Sequence, residues 1–165
     1  EMPIAGENES CTCNGECEGG CSCAANEEGK MKFYIASKLE NAARVQELAG
    51  VLKSWGWQHT YDWTTHGCVL GDEKALQRVA KKELYGAAQA DLVIVLLPGG
   101  RGTHTELGIA LMSGCEIVLH SEDPGVFDPT SKETRSFYWL SGVERVCCPF
   151  EELSGWLKQR FGAVN

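Results

Sequence analysis

The chain has 165 residues, 43% of them apolar, and a formal net charge of -8. That length carries one domain with a real core and is short for two full-sized ones. The carboxylates are dispersed, which leaves no electrostatic footprint for duplex nucleic acid or an anionic membrane, so neither is expected as a partner.

Residues 1–30 consist mainly of Gly, Glu, Asn, Ser and Cys and cannot bury enough surface to offset ordering entropy, so they read as a flexible extension. Five of the nine cysteines, Cys11, Cys13, Cys17, Cys21 and Cys23, fall in CTCNGECEGGCSC. Four such thiolates could close a tetrahedral site for zinc or copper(I), and zinc is the candidate here. The alternative is a redox-exposed tail, because the stretch has no His partner and no C-x2-C pair. An odd cysteine total fits a disulfide framework poorly. EMPIAGENES lacks the basic and apolar regions of a secretory signal, and a cytoplasmic protein is expected.

From Met31 the composition changes, and residues 31–165 read as one α/β domain. KFYIA is a buried-strand pattern, and Leu39, Ala42, Ala43, Leu48, Ala49 and Leu52 follow at near-helical spacing, with Gly56 at the helix end. A second strand is expected over Gln58 to Trp63, then a polar loop through Gly71 and a helix from about Asp72 to Gln89. DLVIVLL is the continuous apolar run of a parallel strand covered on both faces; at strand length it falls far short of the roughly 20 residues of a membrane helix. A helix from about Thr103 to Ser113 leads to the strand CEIVLH. A surface loop over Ser121 to Ser136, a short strand in SGVERVCC and a helix from Pro149 carrying Phe150, Leu153, Trp156, Leu157 and Phe161 complete the chain. Strands alternating with helices predict a doubly wound parallel sheet.

Ligands of such sheets bind outside the carboxyl ends of the strands, where LPGGRGTHTELG lies. Gly99, Gly100 and Gly102 permit close backbone approach, and Arg101 offers a fixed charge for a phosphate oxyanion. The stretch is neither a P-loop nor a dinucleotide fingerprint. On spacing alone Glu106 could equally be a first-turn carboxylate favoured by the helix dipole.

YIAS at Tyr34 to Ser37, AAQADLVIVLL at Ala87 to Leu97 and GTHTELGIALMSG at Gly102 to Gly114 together resemble the nucleoside 2-deoxyribosyltransferase family and the related nucleoside 5'-monophosphate N-glycosidases. The resemblance covers about Lys32 to Leu119. It implies a flavodoxin-like fold, no catalytic cofactor, a homo-oligomer, and a nucleoside or nucleotide substrate attacked at its anomeric carbon by a glutamate, which matches Glu106. A glycosyl ester would then be resolved by water or by a second base. Glu106 at a helix start is expected to be ionised at neutral pH.

Glu83 stands eight residues before Asp91, where the transferases carry an aspartate near the base, and is the first candidate acid. Asp62 is the second. Tyr34 resembles a family tyrosine beside the site, whose hydroxyl could fix the nucleophile. Asp91 is a further substrate-side candidate, although capping its strand is the plainer role. The transferases carry an aspartate six residues before the nucleophile, whereas Gly100 stands there in this chain, beside Arg101. That exchange of an acid for a cation favours a 5'-phosphate on the substrate, with Ser37 and Thr103 as extra donors. His104 reads as a polar partner in the loop more than as a base. Trp63 and Trp139 could stack on a base or pack in the core, and Asp128 or Tyr138 could enter a neighbouring subunit's site. A non-catalytic nucleotide-binding module using the same pocket is the competing reading.

Overall fold

The computed structural model describes residues 29–162; the zinc-candidate cysteines lie outside them. Five parallel strands form one sheet: β1 (Lys32–Ala36), β2 (Gln58–His59), β3 (Leu92–Leu96), β4 (Glu116–Ser121) and β5 (Val143–Cys147). Their order is β2-β1-β3-β4-β5, the flavodoxin-like arrangement, whose switch point lies between β1 and β3. Three helices connect strands, α1 (Ala42–Ser54), α2 (Glu73–Ala88) and α3 (Arg101–Ser113), and α4 (Phe150–Phe161) follows β5. α1 packs beside α4 and α2 beside α3, so both faces of the sheet are covered.

That covering explains the strand sequences. All five residues of β3 are buried, as a central parallel strand requires, and Ile94 and Leu119 join Leu52 from α1 and Leu157 from α4 in the core. Each such side chain contributes roughly 1.5–3 kcal/mol by leaving water. Asp72 caps α2 by accepting from the Ala75 amide at 2.9 Å, and Gly56 after α1 adopts φ 83°, a left-handed value that favours glycine. No described helix is long and apolar enough to cross a membrane.

Three boundaries differ from expectation. The second strand ends at His59 instead of Trp63, because Thr60 turns its hydroxyl to the Gly86 carbonyl at 2.7 Å and Asp62 caps a 3-10 turn over Trp63–Thr65. Leu39 is 74% exposed in a separate 3-10 turn, Leu39–Asn41, and is not on the apolar face of α1. α3 starts at Arg101, two residues early, because the Thr103 hydroxyl accepts from the Gly100 amide at 3.0 Å and satisfies a first-turn donor.

Candidate active site

The carboxyl ends of β1 and β3 are tied together by Ser37, whose hydroxyl donates to the Leu96 carbonyl at 2.7 Å and accepts from Asn41 Nδ2 at 2.9 Å. Ser37 is therefore committed to the scaffold. Beside this tie, α3 directs Glu106 back over β1, where Tyr34 Oη donates to Glu106 Oε1 at 2.5 Å. Glu106 is the sole buried carboxylate among the described residues, at 7% exposure, and Tyr34 is fully buried.

The electrostatics follow from that burial. Desolvation raises the Glu106 carboxyl to about 7; the Tyr34 hydrogen bond opposes the rise and the charge of Glu83 adds to it. The expectation of a carboxylate held ionised by a helix start is thus corrected. With α3 beginning at Arg101, Glu106 is the sixth helical residue, beyond the first turn where the dipole acts most strongly. Burial, then the neighbouring Glu106 charge, hold the Tyr34 phenol far above its ordinary value, so it stays a donor.

Glu83 comes to this pair from α2. Its carboxyl is raised by burial, against the pull of His66, whose Nε2 stands 3.8 Å from Glu83 Oε1. Tyr61 joins the same group, its phenol raised by burial and by the charges of Glu83 and Asp62. Gly86 lets these side chains meet: a Cβ there would lie 2.9 Å from Tyr61 Cβ and 3.1 Å from the Tyr34 ring. Sequence reasoning missed His66, Tyr61 and Gly86. A glycine inside a helical pattern was the one signal available.

The remaining candidates separate. Asp62 Oδ1 accepts from the Thr64 amide at 3.0 Å and the Thr64 hydroxyl at 2.5 Å, a capping role that occupies the second candidate acid. Asp91 is corrected outright: it precedes β3 at the opposite, amino edge of the sheet, where Oδ2 accepts from the Lys32 amide at 2.7 Å. Gly99 has no Cβ because one would lie 2.6 Å from Thr103 Cγ2, and the Gly100 amide and buried Thr103 hydroxyl satisfy each other. These three build the helix start. Arg101 and Gly102 are exposed in its first turn, and Arg101 makes no ion pair among the described residues.

His104 lies in α3, not in the loop, with Nδ1 2.7 Å from the Gly100 carbonyl and Nε2 2.7 Å from Tyr138 Oη. Tyr138 is 3% exposed, while Asp128 is exposed and accepts from the Thr130 amide at 2.8 Å. Trp63 is buried and donates to the Ile35 carbonyl at 2.8 Å, which makes it a core residue; Trp139 lies under Arg145, 4.5 Å from its guanidinium carbon. No cluster of three or more metal-ligating side chains occurs among the described residues.

This geometry defines an α/β sheet of flavodoxin-like order with a buried tyrosine–glutamate pair at its switch point. Solved structures share the fold. The CMP N-glycosidase BcmB of Clostridium botulinum aligns over 78% of this chain and 98% of its own, with a TM-score of 0.54 and 20% identity. A 2-deoxyribosyltransferase of Bacillus psychrosaccharolyticus aligns over 74% and 90%, with a TM-score of 0.53 and 18% identity. Likeness at such identities establishes the fold. No protein-family model and no curated protein matches the sequence.

Proposed function

We propose that this chain is an enzyme that cleaves or exchanges the N-glycosidic bond of a nucleoside or nucleoside 5'-monophosphate through a glycosyl ester on Glu106. The observation that carries the reading is the 2.5 Å hydrogen bond from Tyr34 to a buried carboxylate whose pKa is about 7, at the switch point where such sheets bind ligands. The two structural neighbours, an N-glycosidase and a deoxyribosyltransferase, support the class of chemistry.

In the first step a Glu106 oxygen bonds to the anomeric carbon as the carbon–nitrogen bond breaks, and the departing base keeps the bonding pair. Glu83 delivers a proton to that base. Burial raises its pKa, the direction that favours the protonated acid a departing base needs. Tyr34 holds Glu106 in place and stabilises its charged form before attack. In the second step water, deprotonated by Glu83, attacks the same carbon and frees the sugar and Glu106; in a transferase a second base takes the place of water.

Within this class we favour hydrolysis of a nucleotide. Arg101 is an exposed cation beside first-turn amides, suited to a 5'-phosphate, and the acid that the transferases place at position 100 is replaced by glycine. A homo-oligomer belongs to the same reading and is tested by sedimentation of the purified protein. The deciding experiment incubates the full chain with a panel of (deoxy)nucleosides and their 5'-monophosphates and measures free base by chromatography. Release abolished by Glu106→Ala is the expected result, and release unchanged in that variant refutes the nucleophile. Tight binding of an unaltered nucleotide, insensitive to Glu106→Gln, establishes the binding-module alternative instead.

A further inference from the structure

A cavity of about 360 Å³ opens between the exit of β2 and the outer face of α2. Thr60, Tyr61, Lys81, Lys82, Tyr85 and Gln89 line it, and neither Glu106 nor Tyr34 does. Gly86 forms the partition: it lines the cavity, yet a Cβ on it would strike the Tyr34 ring at 3.1 Å. The cavity therefore adjoins the candidate active site, sharing Tyr61 and Gly86 with it but lined by neither Glu106 nor Tyr34.

Its chemistry contrasts with the rest of the chain. The net charge is -8, but α2 carries Lys74, Arg78, Lys81 and Lys82 against only Glu73 and Glu83. None of these four cations pairs with a carboxylate among the described residues. Lys82 Nζ instead sits 5.8 Å from the Tyr61 ring centroid, and Tyr85 is 56% exposed. Two ammonium groups beside two phenol rings, with a hydroxyl and an amide at hand, match an anion attached to a planar ring. The volume falls in the range of small-ligand sites.

We propose that this cavity is a second binding site, adjoining the Glu106–Tyr34 pair and not lined by it, for a nucleoside monophosphate: the ring lies against Tyr61 and Tyr85 and the phosphate meets Lys81 and Lys82. The site does not depend on the proposed chemistry at Glu106.

Lysine acylation with peptide mapping tests it, using the full chain as the Glu106→Gln variant so that the probe, adenosine 5'-monophosphate, is not consumed. The nucleotide is expected to slow acylation of Lys81 and Lys82 while leaving Lys53 and Lys158 unchanged. Adenosine and inorganic phosphate are each expected to protect less. Equal reactivity of Lys81 and Lys82 with and without the nucleotide overturns the proposal. Full protection by phosphate alone, or by adenosine alone, overturns the combined ring-and-anion recognition. In calorimetric titration, Lys81→Ala/Lys82→Ala should weaken one nucleotide site by about ten-fold or more, the effect of losing charge-assisted hydrogen bonds, and unchanged affinity rejects the site. If wild-type protein releases no base from any nucleotide, the catalytic reading fails while lysine protection still decides this one.

Discussion

The two edges of the sheet each hold a carboxylate that the sequence marks for attention, and they use it in opposite ways. At the amino edge Asp91 accepts from the Lys32 amide and fastens the start of β1 to that of β3. At the carboxyl edge Glu106 is buried against Tyr34, and its proton is held up to about pH 7. One carboxylate serves the backbone. The other is kept in an environment that makes its charged form costly, which is how reactive groups are poised and not how a fold is most stably built.

Glu106 substitutions should give the largest contrast. Glu106→Gln is expected to lower base release by about a thousand-fold or more, as loss of a nucleophile does. The same variant sharpens the stability argument. A carboxyl whose folded pKa lies above its unfolded value contributes stability that is full below about pH 4.5 and is lost as pH rises through about 7. Wild-type protein should therefore lose on the order of 3 kcal/mol across that window through this group, and the glutamine variant should not. Urea melts at pH 5 and pH 8 measure the difference; equal pH dependence in both proteins would contradict the assigned burial penalty.

Tyr34→Phe comes next. It removes the hydrogen bond that favours ionised Glu106, so turnover at pH 7 should fall by about 10- to 100-fold, in keeping with a charge-assisted bond. The rising limb of the pH–rate profile should also move to higher pH. A loss of rate with no movement of the limb would assign Tyr34 to packing alone. Gly86→Ala should cost about 1–3 kcal/mol by overpacking against Tyr61 and Tyr34, read as a lower denaturation midpoint, with turnover falling as Tyr34 is displaced. Smallest is Asp91→Asn: about 1 kcal/mol or less of stability and no change in base release. A collapse of activity in that variant would erase the distinction between the edges.

The scaffold was more legible than the site. LVIVL, buried on both faces, and the Asp72 cap before an amphipathic helix are local patterns that the sequence displays directly. Glu106 and Tyr34 stand 72 residues apart, and only the resemblance joined them. The shifted pKa escaped because it follows from burial and from the charge of Glu83, neither of which the spacing of residues around Glu106 displays. His66 meets Glu83 across a polar loop with no periodicity to announce it. The amino-edge position of Asp91, by contrast, was available: a residue that leads a parallel strand stands at the edge opposite its ligand loop.

His104 gives the fold one further property. Its ring spans the Gly100 carbonyl and Tyr138 Oη, so it rivets the long excursion between β4 and β5 to the first turn of the helix that bears Glu106. Added length at the exposed Lys132 and Glu133 lengthens a tether whose end is already pinned, and entropy charges little for that. Unseating Tyr138 would instead free a mechanical anchor of the helix that bears Glu106, from 34 residues down the chain beyond His104.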